Sequence, residues 1–340
     1  MDIATERDLA LADMDMALRR ELRPLRKYLD DPEVFEIREN KFGQVVCDTP
    51  KVLHADPRIT YDYLWALNDH LLSLNGLGRT PISYVKLPDG SRGTFCWPPA
   101  TVEGTMLMSI RKHLPVSKSL AQLAQEGRFA KVRHRKQSEQ FSLEPFEEEL
   151  LALLEKGDVE GFLTLAVKTK RNIAVAGPTG SGKTTLTPLA DGGGATVERV
   201  LLMEDTHEID DNRLDEVGYL MYGEGDGRMS ARECLKLCMR LSPDRIFLTE
   251  LRDDAAWDYL AGANTGHLGA FSRRTLTARP ALLAYRHVGK GLRKSVGALD
   301  YDVIMKTINT TLDVVVYMEK REVLEILYDP MFKKQAMAAV

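Results

Sequence analysis

Eight consecutive residues, Gly177-Pro178-Thr179-Gly180-Ser181-Gly182-Lys183-Thr184, spell G-x-x-x-x-G-K-[ST], a phosphate-binding loop. Its glycines let successive backbone N–H groups turn inward onto phosphate oxygens. Lys183 adds a point charge for the β- and γ-phosphates, and the Thr184 hydroxyl is suited to ligate Mg²⁺. The loop follows the apolar run Ile173–Ala176 and precedes a helix expected from Lys183, whose N-terminal partial charge also favours anions. Thr185 extends the phosphate-facing set. ATP and Mg²⁺ are the ligands this arrangement calls for.

Carboxylates come next. Leu201-Leu202-Met203 runs into Glu204-Asp205, and Ile246-Phe247-Leu248-Thr249 runs into Glu250. An acid just past a buried strand, beside a phosphate loop, can bind a metal-bound water or orient the attacking one. His267, after Asn264-Thr265-Gly266, is placed to sense the γ-phosphate or to hold a catalytic group. Phosphoryl transfer spreads charge over equatorial oxygens, so an arginine is also wanted. Arg111, Arg128, Arg133, Arg240 and Arg252 are the candidates.

The elements that must carry these residues alternate between strand and helix. Ile173–Ala176, Val200–Met203 and Ile246–Leu248 read as buried parallel strands separated by helical segments. That alternation predicts a doubly wound, mostly parallel α/β domain, with ligands at the carboxyl ends of its strands. Residues 312–317 and 323–328 read as two closing strands. The first part reads as a smaller α+β domain. It has a helix over about the first 25 residues, a hairpin turning at Asn40–Gly43, and a helix over Asp62–Leu74 striped with Leu64, Leu67, Leu71 and Leu74. A turn at Leu87–Gly90 and an extended Trp97-Pro98-Pro99 follow. The basic run Lys131–Gln140, whose only large apolar residue is Val132, marks a linker. The expected division is an N-terminal domain over 1–130, a linker over 131–145 and the phosphate-loop domain over 146–340.

Size and composition fit that reading. The 340 residues suffice for two domains, and 44% hydrophobic with 28% charged residues is a globular balance. A net charge of -4 argues against broad attraction to nucleic acid, so direct nucleic-acid binding is not expected. No run approaches the roughly 20 apolar residues of a membrane span, and the N-terminus lacks a secretory signal. A cytoplasmic protein is expected, with any membrane association peripheral. Cys234 and Cys238 lie i, i+4 without a second ligand pair, which favours reduced, buried thiols over a zinc site.

Four blocks in order resemble the traffic ATPases of type IV secretion systems, relatives of type II secretion and type IV pilus motors. They are Gly177–Thr185, Met203–Glu208 (MEDTHE), Ser242–Arg252 (SPDRIFLTELR) and Asn264–His267, similar to the Walker A, Asp, Walker B and His boxes. Looser likeness runs through Val34–Gly43, Leu87–Arg92 and Ser109–Lys112. The resemblance implies a RecA-like ATPase domain behind an N-terminal domain, joined in a homo-hexamer with nucleotide between the two domains. It further implies that Glu204 and Glu250 position water and Mg²⁺, that His267 reads nucleotide state and that Arg111 reaches the phosphates. Implied partners are inner-membrane components of the secretion machine, a coupling protein and an assembly ATPase among them, at the cytoplasmic face. A nucleotide-binding docking subunit with little turnover and a RecA-like nucleic-acid motor are the alternatives. A P-loop kinase would need a lid with clustered arginines, hinted at only by Arg273-Arg274 and Arg279.

Two stretches depart from the family pattern. Pro188 and Gly192–Gly194 interrupt the helix expected after the phosphate loop, where a proline costs about 3 kcal/mol and each glycine about 1. Leu268–Pro280 is arginine-rich where the family has small hydroxyl residues and a second histidine. A local frame discrepancy would account for both, and resequencing codons 187–195 and 268–280 decides it.

Overall fold

The computed structural model describes residues 16–48, 51–113, 118–132, 134, 141–186, 198–210, 216–223, 228–249, 259–260, 270–274 and 300–338. The chain opens with α1 (Met16–Leu22) and α2 (Arg26–Leu29), then strands β1 (Glu36–Glu39), β2 (Gln44–Asp48) and β3 (Val52–Ala55). Helix α3 (Tyr61–Leu74) precedes β4 (Ile82–Lys86), β5 (Arg92–Cys96) and β6 (Leu107–Arg111). These six strands form an antiparallel sheet in the order β3-β2-β1-β6-β5-β4. Helix α3 starts because Thr60 accepts the Tyr63 N–H, and it buries Leu64, Leu67 and Leu71 on the sheet. Leu74, expected on that stripe, falls on the last turn and is exposed.

The expected hairpin at Asn40–Gly43 is the β1–β2 connection. Trp97-Pro98-Pro99 departs from expectation. It is a tight turn, closed by the Ala100 N–H on the Trp97 carbonyl at 2.8 Å, rather than an extended run.

Short α4 (Leu120–Gln125) buries no residue and is held by a capping box between Ser119 and Gln122. Beyond it come α5 (Pro145–Glu155) and α6 (Val159–Lys168), then β7 (Ile173–Gly177) and α7 (Lys183–Leu186). Strands β8 (Arg199–Glu204) and β9 (Glu216–Met221) lead to α8 (Ala231–Arg240), β10 (Arg245–Leu248) and β11 (Ala270–Arg274). Helix α9 (Tyr301–Thr311), the hairpin of β12 (Val314–Glu319) and β13 (Glu322–Tyr328), and α10 (Pro330–Ala338) close the chain.

The second sheet has the order β13-β12-β7-β11-β10-β8-β9, with all neighbours parallel except the final hairpin. Strands β7, β8 and β10 are buried along their whole length, as continuous apolar runs in a parallel sheet must be. The fold is thus the RecA-like α/β domain with a preceding α+β part. Strand β11 lies inside the arginine-rich departure, yet its backbone pairs in register with β7 from Ala270↔Ile173 to Arg274↔Gly177. Pro188, Gly192–Gly194 and the rest of the 187–195 stretch lie outside the described residues.

The two sheets meet directly. The Met221 N–H donates to the Ala100 carbonyl at 2.8 Å, and Cys96, Ala100 and Leu107 share one core with Leu201 and Leu220. Cys234 and Cys238 sit buried in that core as free thiols, and burial raises the Cys234 pKa well above the ordinary thiol value.

Candidate nucleotide site

Strand β7 delivers its last residue, Gly177, into a space with no room for a side chain. A Cβ there would lie 2.2 Å from the Met318 carbonyl oxygen and 2.6 Å from Ser181 Oγ. Gly180 and Gly182 take φ of 76° and 87°, the left-handed region that curls the loop back over the helix N-terminus. Their N–H groups make no backbone hydrogen bond among the described residues, which leaves them to an anion. Lys183 Nζ donates to the Pro178 carbonyl at 2.8 Å, so the cation is held folded over its own loop. Ser181 is buried beneath the loop, where its hydroxyl has no hydrogen-bond partner among the described residues.

A pocket of about 750 Å³ opens above this loop. Thr179, Gly180, Gly182, Lys183, Thr184 and Thr185 form its floor. Gly177, Pro178 and Ser181 stay behind as the frame. One wall is acidic and polar: Asp205 and Glu208 from the turn after β8, and Thr249 from the end of β10. The opposite wall is the β12–β13 hairpin, through Met318, Arg321 and Val323, with Leu186 beside it.

Glu204 does not reach this pocket. Its side chain is fully buried, with Oε1 accepting the Glu208 and Ile209 N–H groups at 3.1 Å each and Oε2 2.9 Å from His207 Nδ1. The carboxylate therefore ties the turn together and does not face the pocket, where the sequence reading placed it. Glu208 is the residue the sequence reading left unassigned, although it stands four positions after Glu204 in the same acidic block. Glu250 and His267 lie outside the described residues.

The type II/IV secretion system protein family matches residues 125–316. The type IV secretion system protein VirB11 of Brucella suis biovar 1 is 33% identical over 92% of this chain and 90% of its own length. Protein VirB11 of Rhizobium radiobacter is 31% identical, over 89% and 90%. The crystal structure of the VirB11 ATPase from the Brucella suis type IV secretion system, in complex with sulphate, superposes with a TM-score of 0.81 at 32% identity. It covers 94% of this chain and 99% of that one. The chain belongs to the VirB11 family of type IV secretion ATPases. Membership favours the ATPase over the docking and nucleic-acid alternatives.

Arg111 takes a different place in this VirB11-family chain from the one the resemblance implied. It ends β6, donates from Nη2 to Ser242 Oγ and lies over the Phe35 ring, with its guanidinium carbon 5.8 Å from the centroid. Within one chain it stands outside the phosphate pocket, because Ser242, at φ 50° after α8, holds it against the seam between the sheets. Of the other arginines, Arg240 covers the Tyr84 ring and Arg128 pairs with Glu126; Arg133 and Arg252 lie outside the described residues. The arginine that does face the pocket, Arg321, was missed. Its signal was available: a Lys-Arg pair turning between two apolar strands.

Proposed function

We propose that this chain works as one subunit of a homo-hexameric ring that hydrolyses ATP at the phosphate loop to drive substrate transfer or pilus assembly by a type IV secretion machine. The observation that carries the reading is the polarity of the pocket. A cationic, glycine-framed floor faces an acidic wall across the space a triphosphate and its metal require.

In this reading Gly180, Gly182 and Thr184 give N–H groups to the β-phosphate. Lys183 exchanges the Pro178 carbonyl for phosphate oxygens. Thr185 contacts the α-phosphate side. Glu208 and Asp205 orient water at the γ end, and Glu204 sets the turn that carries them. Thr184 and Glu250 would hold Mg²⁺, which supplies charge neutralisation between the β- and γ-phosphates. Thr184 lines the pocket and fits such an ion, since Mg²⁺ keeps waters and phosphate oxygens as most of its ligands and needs few from protein. His267 reads the nucleotide state.

The chain divides functionally as 1–130, 131–145 and 146–340, with the N-terminal part and the ATPase part each contributing to a ring. Among the described residues no helix is long and apolar enough to cross a membrane. Docking at the cytoplasmic face of the inner membrane, on a coupling protein and an assembly ATPase, fits a motor that acts on a membrane machine.

Titration with a fluorescent ATP analogue, with and without Mg²⁺, alongside analytical ultracentrifugation, tests the assignment. Mg²⁺-dependent binding and a sixfold assembly are expected. A monomer at all concentrations with no nucleotide affinity would defeat it.

A further inference from the structure

We infer that Arg321, on the turn of the β12–β13 hairpin, grips the α-phosphate and ribose end of the nucleotide in its own subunit. This rests on the reading of the pocket as an ATP site. Three observations carry it.

The first is placement. In the sheet order β13-β12-β7-β11-β10-β8-β9, the hairpin lies on one side of the phosphate-loop strand. Thr249, Asp205 and Glu208 lie on the other, after β10 and β8. The γ-phosphate belongs on the acidic side, where water and metal are handled. The hairpin therefore faces the opposite end of the bound nucleotide. Its wall has the matching chemistry: Met318, Val323 and Leu186 offer apolar surface for a base, and Arg321 offers a cation for the adjoining phosphate.

The second is contact with the loop itself. A Cβ on Gly182 would sit 3.6 Å from Arg321 Cα and 3.6 Å from Met318 Cε, so the turn is seated on the loop's last glycine. The third is the turn's backbone. Lys320 and Arg321 adopt φ of 51° and 68°, the two left-handed residues of a tight hairpin that Asn-Gly would occupy without cost. A long cationic side chain held in that conformation is the kind of local cost found at binding sites. Arg321 is exposed, and no ion pair or hydrogen bond occupies its guanidinium among the described residues.

A contact at the α-phosphate is made equally by ATP, ADP and the transition state. Its loss should raise KM and weaken both nucleotides together, with kcat little changed. The test uses full-length Arg321→Ala, Arg321→Lys and Lys320→Ala, titrated with fluorescent ATP and ADP analogues and assayed for hydrolysis. Arg321→Ala is expected to weaken both analogues about five- to tenfold. Arg321→Lys should recover part of the loss, and Lys320→Ala, outside the pocket wall, should bind like wild type. Unchanged affinities in Arg321→Ala would overturn the inference, as would a loss confined to ATP and to kcat, which marks a γ-phosphate reader. Wild-type protein that binds neither analogue would sink the nucleotide-site reading itself, and with it this one.

Discussion

Arg38 of β1 and Glu216 of β9 join the two sheets through a buried ion pair, with Nε 2.8 Å from Oε1 and Nη2 donating to Oε2 at 3.2 Å. Both residues are 1% exposed. Around them Arg199 Nη2 donates to Asn40 Oδ1 at 2.7 Å, and Lys51 Nζ meets Asp244 Oδ2 at 2.5 Å, each contact crossing between residues of, or next to, strands of the two sheets. Strand β8 connects this seam to the site. It carries Arg199 at one end and Glu204 at the other.

Removing Arg38 leaves the buried Glu216 carboxylate only its longer contacts to Lys51 and Arg199, at 3.6 and 3.7 Å. Arg38→Met should therefore destabilise the protein by about 3–5 kcal/mol, whereas Arg38→Met with Glu216→Met should recover most of it. Urea denaturation of the three proteins, read by far-ultraviolet circular dichroism, checks this. Equal losses in the single and double variants would mean that the pair does not couple.

Glu39 gives the seam a pH dependence. It is 1% exposed, neither oxygen finds a hydrogen-bond donor among the described residues, and burial raises its pKa well above the ordinary value, with Arg199 only partly opposing. A raised folded pKa means the folded state binds the proton more tightly than the unfolded one. That stability is fully present below the ordinary glutamate pKa and is lost as pH rises toward the folded value. Glu39→Gln removes the dependence. It should be more stable than wild type by about 1–3 kcal/mol at alkaline pH, with the gap closing in acid. Melting curves across that range that run parallel for the two proteins would contradict the assignment.

The two glutamates of the acidic block should separate by phenotype. Glu208→Gln, on the pocket wall, is expected to lower kcat by about 10²-fold or more while nucleotide still binds. Glu204→Gln loses the charge that holds two N–H groups and His207, so its cost, about 1–3 kcal/mol, should fall on stability first. Kinetics and thermal melts on both variants decide. A stable Glu204→Gln that binds nucleotide without turning it over would reverse the two roles.

The sequence made the parallel strands, the phosphate loop and the first hairpin legible, because each rests on local chemistry: continuous apolar runs, left-handed glycines, a turn between alternating strands. Glu204 misled for a physical reason. A carboxylate at a strand end looks the same whether it faces the pocket or caps the turn behind it, and only the fold of Thr206–Ile209 tells which. Strand β9 and strand β11 were missed, since neither is a clean apolar run; β11 carries two arginines and owes its place to pairing with β7 and β10. Arg321 and the Arg38–Glu216 seam depend on residues 139 and 178 positions from their partners, Gly182 and Arg38, and no local pattern encodes such a distance.

The proposed ring motor predicts that turnover depends on assembly. Steady-state ATP hydrolysis measured against protein concentration, with Lys183→Ala alongside, tests it most directly. Specific activity should rise with concentration to a plateau and vanish in Lys183→Ala. Activity independent of concentration, or surviving in Lys183→Ala, would contradict it.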